Sequence, residues 1–322
     1  MDSYTPTAYR ADAVPEQPPT DETVGGKGWR FNWRRGQRLA PGNYRNIPPK
    51  KFLDSWSPSR LREIEHKYQQ PGAPERPAEL WDHERMHMMA IGRLLHVLGI
   101  LKGAGTVGAF MFVPISVLVA VFLGYKVDNQ LFGDAFFELL NAFFLYLIIP
   151  CLLAYLPLTL IDWINNRFGT SYGYHFHSLY ELNRRTGQVT LYNRFSKPTF
   201  SAPFYEFDAY VNGTPDRQGF VYYQLSLVHK YQPQAFVVEN LVSADQHGSE
   251  CLALWDYLQG YMDVTQPLPD IPLLEECRVQ DPTSVAYDQK TNRPADYWLR
   301  MADKDWKKYL AAMAKQRKAA FG

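Results

Sequence analysis

The side chains best suited to chemistry are two histidines and a glutamate in the segment WDHERMH, which contains the pattern HExxH. On a helix, His83 and His87 would lie on one face and could hold a zinc ion, while Glu84 would polarise a bound water molecule. Against this, Arg85 occupies a position that zinc peptidases usually leave uncharged, and the apolar run downstream supplies no acidic ligand. A metalloprotease is therefore the minor hypothesis, and we favour a solvated polar face of a helix.

Two further histidines, His175 and His177, alternate along a predicted strand and could bind a metal ion together with a nearby acid. Aromatic-rich strands also carry such side chains without any ligand. The three cysteines, Cys151, Cys251 and Cys277, fit neither a disulfide framework nor a zinc cluster. The sequence has no Walker-type loop, and we expect no catalytic residues, no cofactor and no small-molecule substrate.

The overall charge of the chain argues against a nucleic-acid partner. Its 322 residues carry 34 Lys and Arg against 33 Asp and Glu, a formal net charge of +1. Nucleic-acid-binding domains normally present a strongly basic surface. Aromatic residues make up 15% of the chain, which indicates packed or interfacial surfaces rather than a disordered chain.

Two long apolar runs organise the rest of the chain. Residues 103–125 and 139–161 contain no Asp, Glu, Lys, Arg or His. At about 1.5 Å per residue each run is roughly 34 Å long, enough to cross the ~30 Å hydrocarbon layer of a bilayer. We therefore predict a two-helix transmembrane hairpin with a short outer connector at 126–138. Trp163 falls where interfacial aromatic residues are expected.

Basic residues beside the hairpin predict its orientation, with both termini in the cytoplasm. The connector holds one Lys and three acids, whereas the segments before the first run and after the second run are basic. The flanking basic residues are Arg85, Arg93, Lys102, Arg167, Arg184 and Arg185. The first residues, MDSYTPTAYR, show no basic segment leading into an apolar core, so we expect the hairpin itself to direct membrane insertion. Pro114, Pro150 and Pro157 would bend the spans, and we favour ordinary packing over a gate as their role.

Residues 1–79 are rich in proline and polar residues, so we expect a largely extended cytoplasmic arm. Within the arm, an island of alternating aromatic and basic residues could lie on anionic headgroups or bind a partner. The alternative is a strand that packs its aromatic side chains on the soluble domain. The island residues proposed for membrane or partner contact are Trp29, Arg30, Phe31, Trp33, Arg34 and Arg35. A short helix is predicted from Ser57, and a juxtamembrane amphipathic helix over 80–102.

A period-two pattern follows the hairpin and predicts five strands between Tyr174 and Val242. An amphipathic helix comes next, with Leu254, Trp255 and Leu258 on its apolar face together with Cys251 and Met262. These elements predict a soluble antiparallel β-meander over 172–265, closed by one C-terminal helix, and hence an α+β membrane protein. The order is similar to that of pleckstrin-homology-like (PH-like) modules of bacterial membrane proteins. The Pro-rich tail at 266–322 ends in a basic amphipathic helix, expected to dock on the module or on the membrane surface.

The segments ELNRRTGQVTLYNR, FSAPFYEFDAYV, YQLSLVHKY and WDYLQGYMDVTQPLPDIPLLEECRVQDPT resemble an uncharacterised proteobacterial family of two-span membrane proteins, a domain of unknown function. The resemblance covers roughly Leu80 to Trp298. It implies a bacterial inner-membrane location and an association with type VI secretion effector gene clusters. It supplies no catalytic residue.

Three classes of function follow from these observations. The leading hypothesis is a non-enzymatic protein-interaction module anchored in the lipid bilayer of the inner membrane. Its protein partner would be a type VI secretion effector or secretion component, and its role that of an immunity or effector-accessory protein. The alternative is a membrane-active, pore-forming type VI effector, and the HExxH zinc metalloprotease is a remote third class.

Overall fold

The computed structural model describes most of the chain and shows an α+β protein. The described residues are 4–20, 34, 36–42, 45–68, 81–126, 137–138, 141–168, 176–215, 218–238 and 248–321. They divide into two compact units, one formed by Met1–Met88 with Leu179–Gly322 and the other by Met89–Ser178. The first unit is thus built from two separate stretches of chain, and the second unit is inserted between them.

The described strands form two antiparallel sheets of four strands each. Their bounds are β1 Gln37–Leu39, β2 Arg85–Ile91, β3 Phe176–Asn183, β4 Gln188–Tyr192, β5 Pro198–Pro203, β6 Phe207–Pro215, β7 Val221–His229 and β8 Ala235–Val237. One sheet has the order β1-β6-β7-β8 and the other the order β2-β3-β4-β5. All five predicted strands are present, as β3, β4, β6, β7 and β8, but they are shared between two sheets rather than joined in one meander.

Nine α-helices lie in the described part of the chain. Their bounds are α1 Lys50–Ser55, α2 Pro58–Tyr68, α3 Arg93–Lys126, α4 Ile149–Phe168, α5 Ser249–Met262, α6 Glu275–Arg278, α7 Pro282–Thr291, α8 Tyr297–Arg300 and α9 Asp303–Phe321. The predicted α+β class is therefore confirmed. The helix expected from Ser57 is α2, and the Ser57 Oγ accepts a hydrogen bond from the Arg60 N–H at 3.3 Å.

Helix α5 forms the centre of the first unit's core, as its apolar spacing predicts. Eleven of its fourteen residues are buried, including Leu254, Trp255 and Leu258. The helix packs on β6 and β7 from one sheet and on α9 from the tail. Because these side chains face the core, they do not form a partner surface. The capping sequence expected at 243–246 lies outside the described residues, and the described helix begins after Gly248, whose φ is 69°.

The N-terminal arm is folded over much of its length, which corrects the expectation of a largely extended segment. Leu39, Phe52 and Leu61 from this arm are all less than 8% exposed and belong to the main core. The Phe52 ring lies edge-on to the rings of Trp81 and Tyr257, with 5.0 Å between centroids in each case. Prolines fix the chain direction between the short elements, while the apolar residues among them supply the burial.

The prediction of an amphipathic helix over 80–102 is wrong for the first half of that range. Residues Arg85–Ile91 form strand β2, and helix α3 begins only at Arg93. Met86 and Met88 are buried while Arg85 and His87 are more exposed, which is the alternation of a half-buried strand. Met88 also fits a helical spacing with the leucines that follow, so both periods were compatible with the sequence.

The C-terminal tail packs on the first unit rather than extending from it. The Trp298 indole is 1% exposed, and its Nε1–H donates to Asp270 at 2.8 Å. Trp306 stacks on Tyr309 and meets Trp298 edge-on. Of the two docking sites expected for the final helix, its apolar side therefore contacts the first unit, where α9 packs on α5.

A buried ion pair joins several of these segments. Arg184 lies in the turn after β3, and Asp281 is the N-cap of α7. Both side chains are fully buried, and Arg184 Nε lies 3.1 Å from Asp281 Oδ1. The remaining guanidinium N–H groups donate to backbone carbonyls at the end of α5 and just beyond it, including those of Asp263 at 3.0 Å and Gln266 at 2.7 Å. The hydroxyl of Tyr4 also donates to Asp281. A charge this deep is tolerated because its donors are satisfied.

The folded arm leads to a stability prediction. Replacing Phe52 by Ala should lower the free energy of unfolding by about 3–5 kcal/mol, since it empties a site between two aromatic rings in the core. Denaturant unfolding of the full chain in mild detergent measures this. The matched control is Val14→Ala, also in the arm but 37% exposed, which should change stability by less than about 0.5 kcal/mol. Equal effects of the two variants would contradict a folded arm.

Candidate functional site

The most unusual surface of the chain is the apolar exterior of α3. Residues Leu95–Val119 of this helix are long and apolar enough to cross a membrane, and only 6% of the most apolar stretch is buried. Phe110 is 83% exposed and Leu118 is 68% exposed. Other exposed apolar side chains on α3 and on the helical segment ending in α4 are Val107, Met111, Leu145, Leu153, Leu156 and Leu160. In water such a surface is unfavourable, so it requires a lipid or protein environment.

Helices α3 and α4 pack closely against each other through small residues. An added Cβ at Gly105 would lie 2.5 Å from the Cys151 carbonyl oxygen, and one at Gly108 would lie 2.6 Å from the Cys151 Sγ. By contrast, an added Cβ at Gly103 would meet nothing within 4 Å. Close approach of helix backbones at small residues is typical of helix pairs in membranes, where dispersion contacts replace the hydrophobic effect.

An ion pair lies where the two apolar runs end. Lys102 Nζ, one residue before the first run, is 2.6 Å from Asp162 Oδ2, one residue after the second. The same ammonium lies 5.8 Å from the centre of the Tyr155 ring. Because the pair is at the ends of the runs, its charges can reach an interface while the segments between them stay apolar. Trp163, next in sequence, is 58% exposed, and its interfacial position stays a prediction.

A π-helical turn precedes α4. The residues Phe144–Ile148 have π-helical hydrogen bonding, and Pro150 follows at the second position of α4. Proline has no N–H to donate to the carbonyl one turn earlier, which explains why the regular pattern is interrupted there. Pro114 and Pro157 lie inside α3 and α4. The role favoured for these prolines, ordinary packing rather than lining a gate, stays a prediction.

The HExxH segment does not have the geometry that zinc peptidases need. His83 and Glu84 lie in a turn and His87 lies on β2, so the helical face that would bring the imidazoles together is absent. Glu84 accepts a hydrogen bond from Arg185 at 3.0 Å, and its backbone N–H is capped by Asp82 at 2.7 Å. Burial lowers the pKa of His87. No group of three or more metal-binding side chains is found in the described part of the chain.

The remaining candidate site residues are partly within and partly outside the described residues. Arg34 donates to the backbone carbonyls of His229 and Lys230, so this part of the basic island contacts β7 and the residue after it. The island's Trp29, Arg30, Phe31, Trp33 and Arg35 lie outside the described residues, as does His175. Cys251 and Cys277 are buried and Cys151 is half-buried, and none of the three forms a disulfide. His177 is half-buried on β3.

The turn between β7 and β8 contains a histidine site that sequence reasoning missed. His229 Nδ1 accepts hydrogen bonds from the backbone N–H groups of Tyr231 at 3.1 Å and Gln232 at 3.0 Å. The ring proton is thereby assigned to Nε2, which donates to Glu206 at 2.9 Å. Burial lowers the pKa of His229, and the hydrogen bond to Glu206 opposes that effect. Nothing in the sequence links these residues, since they meet only through the pairing of β6 with β7.

A second cluster that the sequence did not predict consists of ion pairs in the C-terminal tail. Arg293 contacts Asp270 at 2.8 Å and Glu275 at 2.6 Å, and Glu275 also accepts the Trp298 backbone N–H at 2.7 Å. Burial raises the pKa of Glu275. Because every member is bound to another, the cluster fixes the tail to the core and leaves no group poised for chemistry.

Comparison of the chain with protein-family models, with curated proteins and with solved structures finds no match. The functional argument therefore depends on the residues themselves.

The contact between α3 and α4 predicts a difference between two neighbouring glycines. Gly105→Val should destabilise the helix pair by about 1–3 kcal/mol, because its side chain would overlap the Cys151 carbonyl. Gly103→Val, on the exposed side of the same helix, is the matched control and should leave the pair unchanged. Thermal unfolding of the full chain in detergent measures both, and equal behaviour of the variants would refute the packing.

The histidine site predicts a loss of stability in acid. Because the folded-state pKa of His229 lies below its ordinary value of 6.5, the unfolded chain binds a proton that the folded chain does not. Stability should be full above pH 6.5 and fall as pH decreases towards the folded-state pKa, with a slope of up to about 1.4 kcal/mol per pH unit. His229→Gln should reduce this slope, leaving the part due to His87, whose pKa is also lowered.

Glu206→Gln is the informative companion variant. It removes the carboxylate that raises the pKa of His229, so the loss of stability should continue to lower pH than in the parent chain. Denaturant unfolding at a series of pH values compares the three proteins. A shift to higher pH in Glu206→Gln would contradict the assigned role of Glu206.

Proposed function

We propose that this chain is a non-enzymatic protein-interaction module anchored in a bacterial inner membrane by the helices α3 and α4. The observation that carries the proposal is the exposed apolar exterior of Leu95–Val119. Burial of such side chains in hydrocarbon contributes roughly 25 cal/mol for each Å² removed from water, which favours insertion over exposure to solvent. The anchoring helices belong to the second unit, which lies in sequence between the two stretches of chain that form the first.

Two features support a second span alongside α3. By itself the apolar part of α4, Ile149–Asn165, is shorter than a span. It is preceded without a break by helical residues 141–143 and the π-helical turn, which gives a helical segment from 141 to 168. At about 1.5 Å per residue this segment is roughly 40 Å long. Its tight contact with α3 at Gly105 and Gly108 would satisfy the requirement for close helix packing in lipid.

The proposed orientation places both termini in the cytoplasm. Arg93, Lys102 and Arg167 remain on that side of the spans. Arg184 contributes little to the bias, since its guanidinium is buried and paired with Asp281, and Arg185 is paired with Glu84. Fewer basic residues therefore support this orientation than the sequence alone indicates.

A type VI secretion setting is proposed from the sequence resemblance alone. In that setting the first unit would bind a secreted effector or a secretion component, as an immunity or effector-accessory protein. A PH-like relationship for the two-sheet unit is likewise a proposal, supported by strands closed by the amphipathic helix α5.

The second candidate is a pore-forming effector, favoured by the prolines and the π-helical turn in the spans. The ion pair between Lys102 and Asp162 lies at the ends of the apolar runs, and the residues between them offer no line of charges for ion passage. The anchor is therefore the better-supported function. A zinc peptidase loses its main support with the strand conformation of β2.

A single set of bacterial expression strains distinguishes the membrane anchor from the pore-forming effector. We expect full-length protein, made alone in a bacterial host, to fractionate with the inner membrane and to leave the membrane potential unchanged. Reporter fusions at Gln130 and after Gly322 should report the outside and the cytoplasm, respectively. A chain in which Phe110, Leu118 and Leu153 are replaced by Asp is the matched control and should lose membrane association because charges in hydrocarbon are costly.

The contrary outcomes are distinct. Collapse of the potential in cells making the parent chain would favour the pore. A cytoplasmic signal from the Gln130 fusion would refute the two-span arrangement, and recovery of the parent chain in the soluble fraction would refute the anchor. Stoichiometric co-purification of a type VI component from the native bacterium would support the proposed setting.

A further inference from the structure

The most exposed large apolar side chain among the described residues of the first unit is Phe195, at 66%. It lies in the turn between β4 and β5, next to Arg194, whose guanidinium carbon is 4.6 Å from the centre of the phenyl ring. Lys197 is also exposed in this turn. The segment 193–199, NRFSKPT, has two cations and no anion. We call Arg194, Phe195 and Lys197 the basic tip.

The basic tip is held in one conformation by its own hydrogen bonds. The Asn193 Oδ1 accepts the backbone N–H groups of Phe195 at 2.9 Å and Lys197 at 3.1 Å. Two backbone hydrogen bonds, Asn193 N–H to Lys197 O and Ser196 N–H to Asn193 O, are each 2.9 Å long. Ser196 has a φ of 56°, a value that asparagine or glycine accepts more readily. The turn therefore keeps Phe195 exposed at little further cost in entropy.

The sheet register places the basic tip at the end of the sheet where β3 begins. Tyr180 pairs with Leu191 and Asn183 pairs with Gln188, so β4 runs back towards the start of β3. Strand β3 starts at Phe176, and only residues 169–175 separate it from the end of α4. Strand β3 thus begins eight positions after the proposed transmembrane helix α4 ends.

We propose that the basic tip binds the anionic lipid surface of the bilayer that anchors the chain. Phe195 would enter the boundary between headgroups and acyl chains, while Arg194 and Lys197 would pair with lipid phosphates. The inference rests on the proposed membrane anchor. An aromatic ring with two cations and no acid matches a negatively charged interface that is apolar below its headgroups. Each cation near such a surface strengthens binding about fivefold.

The test uses the full chain in lipid nanodiscs with an environment-sensitive fluorophore on a single introduced cysteine. Phe195→Cys reports the basic tip, Leu118→Cys reports α3, and Phe220→Cys is the matched control. Phe220 is 51% exposed in the turn before β7, in the other sheet. Nanodiscs contain either phosphatidylcholine alone or an equal mixture with phosphatidylglycerol, with and without spin-labelled quencher lipids. Signal from the three native cysteines is subtracted using the parent chain.

We expect the label at position 195 to be quenched by spin-labelled lipid, and more strongly in the anionic nanodiscs. The label at position 220 should stay unquenched in both. Adding Arg194→Gln and Lys197→Gln to the Phe195→Cys chain should weaken the contact by about 25-fold, which is fivefold for each cation. Quenching at position 195 should then fall to its level in phosphatidylcholine alone.

Three results would overturn the inference, and they differ from one another. If position 118 is quenched while position 195 behaves like position 220, the anchor stands and the basic tip does not bind lipid. If quenching at position 195 is equal in both lipid compositions, the anionic headgroup is not what the tip recognises. If position 118 is not quenched either, the anchor itself is wrong.

Discussion

The buried guanidinium of Arg184 connects several segments of the first unit. Arg184 brings together the turn after β3, the end of α5 and the start of α7, because its donors are divided among one carboxylate and several carbonyls. Tyr4 adds the N-terminal arm to the same point through Asp281. Removing either partner of a buried pair leaves an uncompensated charge, at a cost of about 3–5 kcal/mol. The apolar core supplies the driving force for collapse, while this pair connects segments that are distant in the chain.

The second unit has the opposite character. Its helices hold together through backbone proximity at Gly105 and Gly108, and its exterior is apolar. The paired charges of Lys102 and Asp162 lie at one end of the apolar runs. The first unit thus combines an apolar core with a buried ion pair, while the second combines close helix packing with an apolar surface. That contrast supports the proposed membrane anchor.

Much of this organisation could be predicted where the sequence has a regular period. The apolar runs, the five strands with alternating residues and the buried face of α5 all have such a period. Strand β5 does not, since Pro198 and Pro203 bound it and only Phe200 and Ala202 face inward to any extent. Strand β2 has two compatible periods, and the helical one was misleading because Met88 and the leucines after it are spaced at three and four.

The sites that sequence could not supply are those that form only through pairing of distant residues. Glu206 and His229 are 23 positions apart and meet because β6 and β7 are antiparallel neighbours. Arg184 and Asp281 are 97 positions apart. The exposure of Phe195 depends on the turn that Asn193 closes, whereas Tyr180 and Phe207 in the strands are buried. No residue spacing in the chain encodes these contacts.

The division of the first unit into two stretches of chain has a consequence for how the protein is made. On the ribosome, residues 1–88 emerge well before the stretch from Leu179 onwards that completes their core. In the proposed anchor, the two apolar helices would emerge in between and engage the insertion machinery while that early stretch still lacks β6, β7 and α5. Phe52, Leu53 and Leu61 would then remain without their partners for the time of one membrane insertion. Under this proposal, slow insertion would first cause aggregation of the N-terminal arm.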